Sequence, residues 1–151
     1  MPKKEKETKG FKFLPKAVVA DVAFEATGKN LPEVFKNSAL ATMETMVDTK
    51  NVTTKLQKVI KIQNKDIGAL LIDFLNEIVY YKDAEQMLLG RFDIDLKQKD
   101  DKVWVLTAKI AGELIDYKRH QLRADVKAAT WHSFELKQKG KEWTARVVLD
   151  I

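Results

Sequence analysis

Residues 67–87 read "IGALLIDFLNEIVYYKDAEQM", and this stretch carries the clearest structural signal in the chain. Its apolar residues recur at intervals of three and four positions, which is the spacing of a helix face laid on a hydrophobic core. Asp66 stands just before it, where a side-chain oxygen can cap a helix. We therefore predict a long core helix, and core packing explains the stripe better than a membrane or cofactor role. The stripe comprises Ile67, Leu70, Leu71, Phe74, Leu75, Ile78 and Val79.

The segments before this helix predict a strand, a helix and a second strand. Residues 18–26 alternate between apolar and other side chains, which is typical of a half-buried strand. Asn30, with Glu33 three positions later, forms a capping-box pattern, and the helix face that follows extends to about Asp48. Residues 52–64 then alternate again, which indicates the second strand.

The segments after the helix predict four further strands. From Arg91, apolar and polar side chains alternate, which indicates the first of them. Residues 103–114 are apolar on both faces, as in a central strand. Residues 123–136 and 143–150 alternate again, on either side of a charged turn. This order of elements predicts an α+β domain, in which two helices pack on one face of a mostly antiparallel sheet. The pattern puts Val126, Ala128, Thr130, His132, Phe134 and Leu136 on one face, and turns Trp143, Ala145, Val147 and Leu149 inward.

The composition is that of a single globular domain. Of the 151 residues, 45% are hydrophobic and 32% are charged, so we expect residues 1–10 to be a flexible charged tail and residues 11–151 to form one domain with a core. The net charge of +5 is spread among alternating lysines and acids, which argues against a dedicated nucleic-acid surface. The absence of Cys excludes disulfides and thiolate sites. With no signal peptide and no apolar run long enough to cross a bilayer, we expect a soluble, cytoplasmic protein.

The usual catalytic and nucleotide-binding patterns are missing from the sequence. Ser38 and Ser133 do not stand in a G-x-S-x-G elbow, and the six glycines form no phosphate-binding loop. With two histidines and no Cys, a zinc site of the usual kind is not expected. We expect His120 to be solvated in a polar loop and His132 to be half-buried in a strand.

Two acids within predicted strands suggest an oxygen-only metal site. Asp21 lies in the first strand and Asp150 at the end of the last, and an acid inside a strand costs stability unless it is exposed, paired or bound to a cation. With the terminal carboxylate of Ile151 they would suit Ca²⁺, Mg²⁺ or Mn²⁺, provided that the first and last strands lie side by side. The alternative is a surface pair between an Asp and Lys127, worth under about 1 kcal/mol.

Four segments resemble blocks of the archease family, in the order in which that family has them. They read "ADVAFEATGKNLPEVFKNSALATMETMVD" at 20–48, "LLIDFLNEIVYY" at 70–81, "VKAATWH" at 126–132 and "VVLDI" at 147–151. The corresponding family patterns are A-D-[IV] followed by G-x-(S/T/N)-L-x-E-x-F, then L-N-E, V-K-A and a closing D-[IV]. Together these blocks span nearly the whole chain.

The resemblance implies an α+β protein that is not itself an enzyme but assists one. Archeases are helpers of the GTP-dependent tRNA-splicing RNA ligase of the RtcB type. They promote guanylylation of that ligase and its repeated turnover while tRNA halves are joined. The family is also associated with chaperone-like support of a tRNA cytosine methyltransferase.

The resemblance also implies a role for four residues. The family's metal-binding acids fall on Asp21 and Asp150, with the carboxylate of Ile151 as a further ligand for a divalent cation. The expected cation is Ca²⁺, with Mg²⁺ or Mn²⁺ as alternatives. Its functional lysine falls on Lys127, which would act on the partner. One departure is Val18, since the family commonly has a histidine at that position.

Two alternative functions stay open at the level of sequence. The first is a stand-alone metal-dependent hydrolase that uses the same acids, although no general base or substrate-holding loop is evident. The second is direct, weak contact with RNA through the basic tail, which would weaken steeply with salt.

Overall fold

The computed structural model describes residues 10–15 and 21–151, which form seven strands, two α-helices and a short 3₁₀ turn. The predictions for residues 1–9, for Val18 and for the start of the first strand lie outside the described residues. In chain order the elements are β1 (Phe11–Leu14), β2 (Asp21–Gly28), α1 (Leu31–Met46), the 3₁₀ turn (Thr49–Asn51), β3 (Leu56–Asn64), α2 (Ile67–Glu85), β4 (Met87–Gln98), β5 (Trp104–Leu114), β6 (Ala128–Lys139) and β7 (Glu142–Asp150).

Both helices begin at side-chain caps. The Asn30 side chain accepts a hydrogen bond from the Glu33 N–H at 2.9 Å, and the Glu33 carboxylate accepts one from the Lys29 N–H at 2.6 Å. The first bond satisfies a main-chain donor that a helix start leaves unpaired, and the second fixes the residue just before the cap. The Asp66 carboxylate accepts from two N–H groups in the first turn of α2. Both predicted helix starts are therefore confirmed.

The strands divide into two antiparallel sheets, with the orders β1–β2–β7–β6 and β3–β5–β4. The predicted α+β class, with two helices and antiparallel strands, is confirmed. The division into two sheets is new, because alternation shows which face of a strand is buried but not which strand lies beside it. β5 is the middle strand of its sheet, as its apolar residues on both faces predicted. Within the described ranges, no helix is both long and apolar enough to span a bilayer.

Each helix packs against strands of both sheets and so joins them. α1 contacts β2 and β4, whereas α2 contacts β6 and β3. Phe35 of α1 stacks on Phe74 of α2 with ring centroids 6.2 Å apart, and both side chains are fully buried. One continuous hydrophobic core therefore connects the helices with both sheets.

β6 departs from regular alternation near its centre. Its register on β7 breaks between Thr130 and Glu135, and Ser133 has a φ of +53°. The prediction of one uninterrupted strand face is therefore wrong here. Ala129, which the alternation had placed on the other face, is buried. His132 is exposed rather than half-buried because the irregular segment turns it outward.

Candidate functional site

The two predicted metal-binding acids stand directly opposite each other in the first sheet. Asp21 is the first residue of β2, Asp150 is the last residue of β7, and the antiparallel register makes them partners. Side chains of directly opposed residues lie on the same face, with Cβ atoms about 5 Å apart. Both residues are partly buried. The strand of Asp21, predicted as the first, is β2 because the short strand β1 precedes it, and it lies beside the last strand as expected. This arrangement brings two carboxylates together at one end of the sheet.

Burial of apolar side chains determines this register. Phe24 of β2 faces Val147 of β7, and both are fully buried in the core. A slip of one residue would turn these side chains away from the core. Because each Asp is three positions from one of them, the carboxylates lie on the other face of the sheet. The predicted inward residues of β7 are confirmed, with Trp143 partly buried and Ala145, Val147 and Leu149 fully buried.

The paired carboxylates have the chemistry of cation ligands. Like charges directly opposed across two strands destabilise a sheet. Among the described residues, neither Asp21 nor Asp150 has a basic side chain within salt-bridge distance. A divalent cation between them would replace repulsion by attraction, and carboxylate oxygens are the ligands that Ca²⁺, Mg²⁺ and Mn²⁺ prefer.

The donor set at this position is small. The described part of the chain holds no group of three or more His, Cys, Asp and Glu side chains that could bind a metal. A cation at the Asp pair would therefore complete its coordination with main-chain or terminal oxygens and water. Such a mixed, oxygen-only set fits a hard cation and does not fit zinc.

Lys127 and Ile151 lie at the same end of the sheet. Ala128 is the β6 partner of Asp150, and the Lys127 N–H donates to the main-chain carbonyl of Asp150 at 2.7 Å. The Lys127 side chain is exposed, whereas Ile151 is partly buried and packs against the core. The fold therefore brings all four predicted site residues together at the ends of neighbouring strands.

A second polar cluster joins the end of β5 to the loop that follows it. His120 is buried, its Nδ1 accepts a hydrogen bond from the Asp116 N–H, and its Nε2 lies 2.9 Å from the Glu113 carboxylate. Because Nδ1 is an acceptor, the proton of the neutral ring is on Nε2 and is donated to Glu113. The prediction that His120 is solvated is wrong, since the loop folds back and buries the ring against Glu113.

Hydrogen bonds hold the Glu113 carboxylate in its ionised form. Burial by itself would raise its pKa, but hydrogen bonds from the Arg119 guanidinium, the Thr53 N–H and His120 lower the pKa of Glu113 from 4.5 to about 2. These bonds tie the end of β5 to the segment before β3 and to the loop after β5. No buried polar side-chain atom in the described part of the chain lacks a partner, so we assign this cluster a structural role.

We predict that Glu113→Gln lowers the free energy of unfolding at neutral pH and makes it change less between pH 4.5 and about 2. The pKa of this carboxyl is lower in the folded protein than in the unfolded chain, so its contribution is complete above pH 4.5 and is lost as the pH falls to about 2. We expect a loss of about 2 kcal/mol at neutral pH, less than the full shift implies because Arg119 is half exposed. Urea unfolding across this pH range measures the effect.

Glu135→Gln provides the control for this measurement. It removes an exposed carboxylate whose only ion-pair partner among the described residues is exposed Lys137, so it should change stability by less than about 0.5 kcal/mol. Parallel pH profiles for the parent protein and Glu113→Gln would contradict the prediction.

The sequence matches one protein family over most of its length. Residues 11–151 match the Archease protein family (MTH1598/TM1083). The archease of Methanothermobacter thermautotrophicus is 38% identical over 143 residues, which cover 95% of this chain and 99% of that protein. The archease of Methanosarcina barkeri is 32% identical over 132 residues, which cover 87% of this chain and 90% of that protein.

Solved structures share the fold. The solution structure of protein 1598 of Methanobacterium thermoautotrophicum matches with a TM-score of 0.81 at 36% identity, over 94% of this chain and 99% of that one. A Thermotoga maritima crystal structure, described as an archease and possible chaperone, matches with a TM-score of 0.60 over 91% of this chain and 96% of that one. At 16% identity the second match supports the fold alone. Sequence identity, coverage and fold agree, and the chain belongs to the archease family.

Proposed function

We propose that this archease is a protein cofactor of a GTP-dependent tRNA-splicing RNA ligase of the RtcB type, and that it works in the cytoplasm. In this role it promotes guanylylation of the ligase and repeated turnover, while the ligase carries out the bond-making steps. Family membership supports the proposal. The structural observation that carries it is the register that pairs Asp21 with Asp150 and bonds Lys127 to the same residue.

The proposal assigns a divalent cation to the paired carboxylates. Asp21 and Asp150 would hold it with the terminal carboxylate of Ile151, and Ca²⁺ fits best because it accepts irregular sets of oxygen ligands and water. Mg²⁺ or Mn²⁺ are the alternatives. When bound, the cation supplies positive charge that attracts and orients phosphate oxygens.

Lys127 supplies the group that acts on the partner. Its side chain is exposed, and its main chain is bonded to Asp150, so the lysine side chain starts from the residue next to the paired acids. A fixed lysine of this kind can pair with phosphate oxygens of GTP or of an RNA end in the ligase active site. The contribution is electrostatic positioning of reacting groups, which does not require this chain to form a covalent bond.

A multiple-turnover ligation assay tests the proposal. The cognate ligase, tRNA halves in large excess and GTP are incubated with the parent protein, with Lys127→Ala, with the matched control Lys97→Ala, or with no addition. Lys97 is an exposed lysine of the other sheet. We expect the parent and Lys97→Ala to raise product well above one equivalent of ligase, and Lys127→Ala to lose most of this effect. Equal product with and without the parent protein would reject the proposal.

Two measurements on the archease without the ligase separate the alternatives left open by the sequence. Release of phosphate from GTP by the archease alone would indicate a metal-dependent hydrolase. Binding of RNA by the archease alone, lost at high salt, would indicate direct RNA contact.

A chaperone-like role toward a tRNA cytosine methyltransferase is the second candidate. It comes from the association of the archease family with such support, and family membership is what favours it. The Thermotoga maritima archease is itself described as a possible chaperone. That role does not call for a lysine beside two opposed acids. If it were the main function, the parent protein and Lys127→Ala would improve the solubility and activity of the methyltransferase equally, and neither would change ligation.

A further inference from the structure

Asn76 of α2 binds the main chain of β6 next to the candidate site. Its side-chain oxygen accepts the Ala129 N–H at 2.8 Å, and its side-chain nitrogen donates to the Ala129 carbonyl at 3.2 Å. β6 is an edge strand, so these are main-chain groups without a neighbouring strand on that side. One amide side chain thus replaces the missing strand at a single peptide position.

Lys82 binds the same segment from farther along α2. Its side chain is only 10% exposed, and its ammonium donates to the Asp125 carboxylate and to the Val126 carbonyl, and also pairs with Asp83. Burial by itself lowers the pKa of Lys82, but the hydrogen bonds that its ammonium donates to Asp125 and Asp83 outweigh burial and raise that pKa. The ammonium therefore stays charged and bonded.

Lys127 stands between these two attachments. Its neighbour Val126 is fully buried and Ala129 is nearly so, whereas Lys127 itself is exposed and its N–H is bonded to the Asp150 carbonyl. Residues 125–129 are thus held from one side by two helix side chains and from the other by the last residue of β7.

We infer that Asn76 and Lys82 are positioning residues, which hold residues 125–129 on α2 and thereby keep Lys127 beside Asp150. The inference rests on the proposed function of Lys127. A lysine side chain is long and flexible, so its reach is useful only if its main chain is held in one place. Asn76 is a partly buried polar residue outside the apolar stripe of α2, a helix that packs against β6, so packing of apolar side chains does not explain its position.

The first test measures the attachment itself, without the ligase. Amide hydrogen exchange by NMR is compared between the parent protein, Asn76→Ala and the control Asp73→Ala. Asp73 lies one turn earlier on α2, and its carboxylate accepts a hydrogen bond from Asn64, so the control removes a bond that does not involve residues 125–129. We expect the Ala129 and Lys127 amides to exchange about tenfold faster in Asn76→Ala and to be unchanged in the control. Unchanged exchange in Asn76→Ala would overturn the inference.

The second test measures whether the attachment acts through Lys127. Misplacing a positioned group by about 1 Å can reduce a rate by about 100-fold, so we expect Asn76→Ala to reduce ligase stimulation by about tenfold. In a Lys127→Ala background, Asn76→Ala should change the remaining stimulation by less than about twofold, because the group it positions is gone. Lys82→Gln should repeat this pattern, and it replaces Asn76→Ala if that variant does not fold.

The outcomes separate this inference from the proposed function. If the parent protein stimulates the ligase and Asn76→Ala stimulates equally well despite faster exchange, the inference is wrong and the proposed function stands. An equal loss from Asn76→Ala with and without Lys127 would also overturn it, since that result indicates a general structural role. If the parent does not stimulate the ligase at all, the proposed function fails first.

Discussion

Asp150→Asn should abolish Ca²⁺ binding and ligase stimulation while leaving the apo protein as stable as the parent or slightly more so. The variant keeps the size and shape of the side chain but removes one of two opposed negative charges. In the presence of a chelator, loss of the repulsion with Asp21 should raise the free energy of unfolding by about 0.2–1 kcal/mol. This opposite response of stability and function is what a metal-binding acid pair predicts.

Added Ca²⁺ should stabilise the parent protein but not Asp150→Asn. At a Ca²⁺ concentration of about 100 times its Kd, the parent should gain about 2.7 kcal/mol of stability. Loss of residues that only support metal ligands can cost up to about 100-fold in metal affinity, so loss of a ligand charge should cost at least as much. Titration calorimetry and thermal melting with Ca²⁺, Mg²⁺ and Mn²⁺ measure both quantities.

Asp95→Asn is the matched control for this experiment. Asp95 is an exposed strand acid of β4 whose register partner in β5 is Thr107 rather than another acid. We expect this variant to bind Ca²⁺ and stimulate the ligase like the parent. An equal Ca²⁺-dependent gain in stability for the parent and Asp150→Asn would exclude a cation at the paired carboxylates.

Gly112→Ala should have the largest effect on stability. A Cβ atom at this position would overlap the Leu88 carbonyl oxygen and lie 2.8 Å from its carbonyl carbon. These are main-chain atoms of β4, close to the register shift between Leu89 and Arg91, so they cannot turn aside as a side chain can. Since β5 is the central strand of its sheet, the strain would separate strands that carry much of the core. We expect a loss of about 4 kcal/mol or failure to fold.

Gly140→Ala is the control that isolates steric conflict from the general cost of replacing glycine. Gly140 lies in the β6–β7 turn with a φ of +61°, and a Cβ there would meet nothing within 4 Å. We expect a loss of about 1 kcal/mol from backbone strain alone. Urea unfolding of both variants measures the difference. Equal losses of stability would show that the conflict of the added Cβ with β4 does not cause the loss in Gly112→Ala.

Local patterns in the sequence identified most of the secondary structure. Side-chain caps, such as those of Asn30 and Asp66, act over a few residues, and the apolar stripe of α2 follows from the geometry of one helix. Alternation likewise identified the inward face of β7. It failed in β6, where the register break near Ser133 changes which alternate residues face the core and leaves His132 exposed.

By itself, the sequence determined the two helices, the buried face of β7, the α+β class and the resemblance to archeases, because each depends on residues close together in the chain or on motifs in a given order. Only the tertiary structure decided that the strands divide into two sheets, that His120 is buried against Glu113, and that Asn76 of α2 holds Ala129. The same is true of the direct pairing of Asp21 with Asp150, residues from opposite ends of the chain. Contacts between distant residues depend on which apolar faces can be buried together, and that choice is made by the packed core as a whole.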